Sequence, residues 1–253
     1  MAELTCRQEV TLEERTITSK AFRSQEVSQP CFAIYDKSFR AILGDAPEID
    51  VVLERDYPFA HEAPVYVPDQ DAVYFTSSPF TPRGATEQMI QINKAVHHDG
   101  GSWICEPIDT DVVMGNGGFN HGNGIVLCAQ GDHANPGGVV HMDIEPPYKS
   151  RPLIDGYHGR PFTSVNDLVV HQDGSIWFTD PIYGYEQGFR PKPQLPCQVY
   201  RFEQDSGDIR VVADGFGRPN GLAFSPDGAT MYITDTDMVH GDGTIEATRV
   251  GTM

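Results

Sequence analysis

A chain of 253 residues with 39% hydrophobic content can bury one large core or two small ones. Eighteen basic against 36 acidic side chains leave a net charge of −18, which repels phosphate backbones and anionic lipid headgroups and attracts cations, so neither nucleic acid nor a membrane surface is expected as a partner. Five cysteines, Cys6, Cys31, Cys105, Cys128 and Cys197, are odd in number and lack C-x-x-C spacing, which argues against a zinc site and a disulfide framework.

Met1 to Lys20 is polar and charged, without the apolar core of a signal peptide, and no run approaches the roughly 18 consecutive apolar residues of a membrane span. A cytoplasmic protein is the expectation. Residues 1–50 read as a lead-in with strand-like material only at Cys31 to Tyr35. From Val51 the pattern becomes regular, and residues 51–253 are expected to form the main domain.

That region alternates Val, Ile, Tyr, Phe and Trp between glycine and proline turns, which predicts an all-β fold of many short strands. Three units follow one plan, a turn and then a strand, and a fourth, at His121 to Ala129, is a weaker copy. Pro68-Asp69-Gln70-Asp71 leads into Val73 to Thr76, and His121-Gly122-Asn123-Gly124 into Ile125 to Ala129. Gln172-Asp173-Gly174-Ser175 leads into Ile176 to Thr179, and Pro226-Asp227-Gly228-Ala229 into Met231 to Thr234. A further strand is predicted in each unit, at Met89 to Ile92, Gly138 to Ile144, Gln198 to Phe202 and Thr244 to Val250.

The equivalent positions Thr76, Ala129, Thr179 and Thr234 are 53, 50 and 55 residues apart, a period that fits a four-stranded propeller blade. Four units account for nearly the whole of 51–253, so the expected architecture is a β-propeller with about four blade units, incomplete as a ring. Its unpaired edge strands predict self-association.

Glu62, Asn166 and Asn220 precede Thr76, Thr179 and Thr234 by 14, 13 and 14 residues. A shared register of this kind puts them at the inner ends of successive blades, where side chains converge. One carboxylate with two amide oxygens is a hard ligand set that suits Ca²⁺ better than zinc or copper. Among the histidines, His97-His98 reads as a loop pair and His133 as a candidate proton shuttle. Ser164 lacks the Gly-x-Ser-x-Gly elbow of a hydrolase triad.

The run Ser164-Val165-Asn166-Asp167-Leu168-Val169-Val170, followed by Asp173-Gly174-Ser175-Ile176-Trp177-Phe178-Thr179-Asp180-Pro181-Ile182-Tyr183-Gly184, resembles the SMP-30/gluconolactonase family. Arg218-Pro219-Asn220-Gly221-Leu222-Ala223-Phe224-Ser225-Pro226-Asp227-Gly228 does so too, and His61-Glu62-Ala63 is similar to the first-blade motif of fungal lactonohydrolase-like members. The resemblance covers roughly residues 55 to 238. It implies a six-bladed propeller, a divalent ion, usually Ca²⁺, in the central channel, and hydrolysis of a lactone to a hydroxy acid.

By the same resemblance Glu62 and Asn220 match ion ligands, and Asn166 matches an asparagine beside the ion that also holds substrate. Val165 stands where many members have proline, and Gln130 where many bacterial relatives have histidine. The family's aspartate, ligand and general base, finds no counterpart before Met253. Asp235 reads as a structural strand-end residue. A non-catalytic binding propeller, or an inactive relative, is therefore the competing expectation.

Overall fold

The computed structural model describes residues 6–8, 11–14, 31–98 and 101–252. The chain divides into two compact units, Met1–Asp56 with His97–Ile104, and Tyr57–Val96 with Cys105–Met253. The first holds β1 (Cys6–Gln8), β2 (Thr11–Glu14), β3 (Cys31–Ile34), α1 (Lys37–Leu43) and β4 (Ile49–Val51). β1 pairs antiparallel with β4, and β2 parallel with β3. The Asp36 carboxylate accepts the Ser38 amide at 2.8 Å and starts α1. Strand structure in this lead-in thus extends beyond the expected Cys31 to Tyr35.

From Glu62 onward the chain runs in antiparallel meanders. The first sheet runs β5 (Glu62–Val67), β6 (Ala72–Thr76), β7 (Ile92–His98), β8 (Ser102–Pro107), and the second β9 (Gly115–His121), β10 (Gly124–Ala129), β11 (Gly138–Asp143), β12 (Ser150–Ile154). A small hairpin, β13 (Gly156–Tyr157) with β14 (Arg160–Pro161), leads to the third sheet. That sheet is β15 (Leu168–Val170), β16 (Ile176–Asp180), β17 (Gln198–Phe202) and β18 (Ile209–Ala213), with the short helix α2 (Tyr183–Glu186) between β16 and β17. β19 (Pro219–Phe224) pairs with β20 (Met231–Asp235).

The turns obey the sequence. Gly174 and Gly228 take φ of 84° and 71°, the left-handed conformation a tight turn needs. Where the β5–β6 turn lacks a glycine, Asp71 takes φ of 44° at the end of a 3₁₀ turn.

Burial explains why β10 is apolar throughout. Ile125, Leu127 and Ala129 point into a core shared with Val65, Val67, Tyr74, Ile92 and Met142. The intervening Val126 and Cys128 point into a second core with Phe162, Phe178, Tyr200 and Leu195. A strand with both faces covered shows a continuous hydrophobic run instead of alternation. In the second core the rings of Phe162, Phe178 and Tyr200 lie 5.1–5.4 Å apart.

Two expected strands sit differently. Met89 and Ile90 precede the ladder: Met89 makes a single bridge to Phe80, and Ile90 packs with Met114 and Phe189, so β7 starts at Ile92. The expected loop pair His97-His98 ends that strand. Residues 244–250 form no strand, because the Asp242 carboxylate takes the Thr244 amide and hydroxyl at 2.9 and 2.7 Å and turns the chain. Thr252 pairs with Asp235 instead.

A carboxylate at the end of the second strand braces the entry to the first. Asp180 accepts the amides of Thr163 and Ser164 at 3.0 and 2.8 Å, and Asp235 those of Gly217 and Arg218 at 3.0 and 2.8 Å. Asp235 is therefore the structural strand-end residue expected. Burial lifts the Asp180 carboxyl to about 7, against the pull of its two amide donors and Arg190. A carboxyl raised in the folded state contributes stability that is full below its ordinary value near 3.8 and is lost as pH rises through 7. The urea midpoint of the wild type, taken relative to Asp180→Asn, should therefore fall between pH 4 and pH 7. A difference that stays flat would show the carboxylate already ionised at pH 4.

Candidate functional site

The first strands of the sheets lie against one another in turn, β5 on β9, β9 on β15 and β15 on β19. Near its entry each carries an irregularity. The ladder shifts register between Glu62 and Val65, between Leu127 and Ala129, and between Pro219 and Leu222, while Asn166 donates its amide to Thr179 O at 3.0 Å just ahead of β15. Bulges of this kind re-aim a side chain, and Ala63 takes φ of 52° to make the first of them.

The side chains so re-aimed line one cavity of about 260 Å³. Glu62, Asn166 and Asn220 all reach it, joined by Asn116, Gln130, Tyr183 and Thr236, with His61 and His240 at its wall. Asn116 was not among the expected site residues. It sits 13 residues before Ala129, the same offset that links Asn166 to Thr179, so the register contained the signal. Gly117 makes the approach possible: its amide donates to Asn166 O at 2.8 Å, and a Cβ there would lie 2.4 Å from Asp167 Oδ1.

The electrostatics are those of an oxygen site short of positive charge. Glu62 is the only carboxylate lining the cavity among the described residues, and burial raises its carboxyl above the ordinary value while His61, 3.7 Å away, lowers it. The Oδ1 atoms of Asn116 and Asn166 are buried and find no hydrogen-bond partner among the described residues. An unsatisfied buried acceptor costs roughly 1–3 kcal/mol, so the cavity is built for a donor or a cation that supplies the missing contact. Carboxylate plus amide oxygens fit a hard divalent ion; among the described residues no group of three or more His, Cys, Asp or Glu side chains is arranged to hold a metal on its own.

Behind Glu62 and Asn166 lies Asp167, which accepts the amides of Leu168 and Leu222 at 2.9 and 3.1 Å and whose carboxyl burial lifts to about 6. Arg218 braces another wall, binding Glu186 on one side and Asp237 on the other, while the Gly241 amide donates to Glu186 at 2.7 Å. His133 lies elsewhere, its Nε2 3.1 Å from Gly188 O beside a separate cavity, so geometry removes it from the site as a proton shuttle. Ser164 is fully buried and spends its hydroxyl on Pro181 O and the Gly184 amide.

An all-β protein whose successive sheets meet at an oxygen-lined cavity is the class that this geometry defines. The profile of the SMP-30/Gluconolactonase/LRE-like region matches residues 61–240, and the chain belongs to that family. It is 32% identical to Lactonohydrolase oryL of Aspergillus oryzae over 81% of this chain and 47% of that protein. A Gluconolactonase of Zymomonas mobilis is 35% identical over 41% of this chain and 30% of the relative. Among solved structures, a gluconolactonase from Xanthomonas campestris superposes with a TM-score of 0.62 at 27% identity, covering 84% of this chain and 64% of that one. The chain spans about half or less of the length of these curated relatives.

Proposed function

We propose that the second unit is part of a β-propeller of the six-bladed lactonase type, with four blade units in this chain, and that its cavity is a site for metal-dependent hydrolysis of a lactone to a hydroxy acid. The neighbouring first strands support the propeller reading, since they are the order in which inner strands of successive blades would meet. The lactonohydrolase and gluconolactonase relatives support the substrate class.

The observation that carries the proposal is the pair of unpartnered buried amide oxygens beside the Glu62 carboxylate. Glu62, Asn166 and Asn220 would hold the ion, for which Ca²⁺ is the best match, with Asn116 and Asn166 placed to meet substrate. When bound, such an ion polarises the lactone carbonyl. The residues themselves fix the ring in place. Water adds to the carbonyl carbon, the ring C–O bond breaks, and the released alkoxide oxygen takes up the proton that the attacking water gives up.

A second reading is a binding propeller without turnover, favoured by the single carboxylate lining the cavity. Both are tested by titrating Ca²⁺ into the purified chain by calorimetry and following a panel of sugar-derived and aromatic lactones by pH-stat, with and without chelator. Calcium binding with chelator-sensitive turnover is the expected result. Binding without turnover would select the second reading, and the absence of both would overturn the assigned site.

A further inference from the structure

We infer that Tyr183 is a positioning residue: with Thr236 it fixes the side-chain amide of Asn220 so that Oδ1, not Nδ2, faces the cavity. The inference rests on the cation site proposed above and adds the device that orients one of its ligands. An asparagine amide is nearly symmetric in shape, yet only its oxygen can meet a cation. Something has to decide which end points inward.

The deciding contacts come from two different elements. Asn220 Nδ2 donates to Tyr183 Oη at 3.3 Å and lies 3.5 Å from Thr236 Oγ1. Tyr183 Oη and Thr236 Oγ1 are directly hydrogen-bonded to each other. Thr236 Oγ1 in turn is 3.4 Å from the backbone carbonyl of Arg218, which can only accept.

That carbonyl gives the chain a direction. Thr236 donates to it, so Tyr183 donates to Thr236, so the phenol oxygen is left as an acceptor. The group facing it must then be an N–H donor, which is the Nδ2 of Asn220. Reversing the amide would place Oδ1 against the phenol and strip the carbonyl of its hydroxyl partner.

The backbone of Asn220 is held as well, its carbonyl accepting Thr179 Oγ1 at 2.8 Å. With the main chain fixed, the amide flip is the freedom that remains, and Tyr183 removes it. Tyr183 is nearly buried, at 9% exposure, and lines the cavity, so it stands where it can act on the ligand end of Asn220.

The test is a double-mutant cycle read by Ca²⁺ calorimetry on the full chain. Tyr183→Phe removes the acceptor and should weaken Ca²⁺ binding roughly three- to tenfold, the fold-change that follows from losing one ordinary hydrogen bond. In an Asn220→Asp background the same change should alter affinity less than about twofold, because a carboxylate presents oxygen at both ends. An equal loss in both backgrounds, or no loss in the asparagine background, would overturn the orientation role. Urea midpoints of the four proteins provide the folding control.

A second measurement needs no cation. In ¹⁵N-labelled protein without added metal, the Asn220 Nδ2 amide pair, assigned by its loss in Asn220→Asp, should shift and exchange faster with water in Tyr183→Phe. An unmoved pair would sink the inference whatever the calorimetry gave. An amide shift in Tyr183→Phe combined with a wild type that bound no Ca²⁺ would instead overturn the cation reading and leave Asn220 oriented for another donor.

Discussion

Replacing Arg190 by methionine is expected to lower the unfolding free energy by about 3–5 kcal/mol, the cost of breaking, from one side, the contacts of a buried ionic group that makes four hydrogen bonds. Arg190 is only 4% exposed, and its guanidinium donates to backbone carbonyls: Nε to Thr163 at 2.8 Å, Nη1 to Asp132 and Asn135 at 2.7 and 2.9 Å, and Nη2 to Phe162 at 2.7 Å. Two of these carbonyls lie in the β10–β11 loop and two in the segment leading to β15. One side chain therefore ties this loop of the second sheet to the segment leading to β15, although Asn135 O also accepts the Asp132 amide at 3.0 Å.

Methionine fills much of the volume but strips the carbonyls of Asp132, Phe162 and Thr163 of their donor, leaves Asn135 O with the Asp132 amide alone, and removes the positive charge that faces buried Asp180. Lysine keeps the charge yet offers a compact ammonium with three donors in place of a planar fork, so Arg190→Lys should recover only part of the loss. Urea denaturation of the three proteins measures this. A loss below about 1 kcal/mol in Arg190→Met would mean that water reaches these carbonyls and replaces the guanidinium.

Arg190 also marks where reading the sequence stops. The turn-and-strand plan placed β6, β10, β16 and β20 to within a residue because both of its signals are local, glycine or aspartate at the turn and period-two apolar residues after it. Gln198 to Phe202 came out residue for residue. The errors fell where tertiary partners decide. Met89 and Ile90 look like strand residues and instead fill a small cluster with Met114 and Phe189. Thr244 to Val250 has strand composition, yet the Asp242 turn leaves it only an isolated bridge, Ile245 to Val239, and scattered bonds to Met238. Nothing local in the sequence says that Arg190 will find carbonyls from two distant segments.

The same division runs through the site. A shared offset from the strand-end threonines singled out Glu62, Asn166 and Asn220, and all three line one cavity. Asn116 has that offset too, but Gly115-Asn116-Gly117-Gly118 reads as a turn when taken alone, and the second unit ends in Ala129 where the others carry threonine. Tyr183, Thr236 and His240 carry no periodic signal and reach the cavity only because α2 and the chain after β20 fold back over it. Gln130, read as a departure from bacterial relatives, is buried at the cavity wall.

Glu62→Gln should lower Ca²⁺ affinity by about a hundredfold or more and reduce lactone hydrolysis in parallel, while leaving the metal-free protein at least as stable. The substitution is isosteric, so the amide and carboxylate differ chiefly in charge. Affinity in an all-oxygen site is set strongly by the number of charged ligands, and removing the only carboxylate that lines this cavity among the described residues leaves only neutral amide and hydroxyl oxygens. Stability should not suffer, because burial raises the Glu62 carboxyl, meaning that the folded protein holds the ionised form at a cost that glutamine does not incur. Calorimetry, pH-stat assays and urea denaturation on the same preparations separate the outcomes. Loss of binding together with turnover, at unchanged or higher urea midpoint, assigns Glu62 to the ion. Turnover that survived undiminished would remove Glu62 from the site, and a lowered midpoint would mean that its charge serves the fold instead.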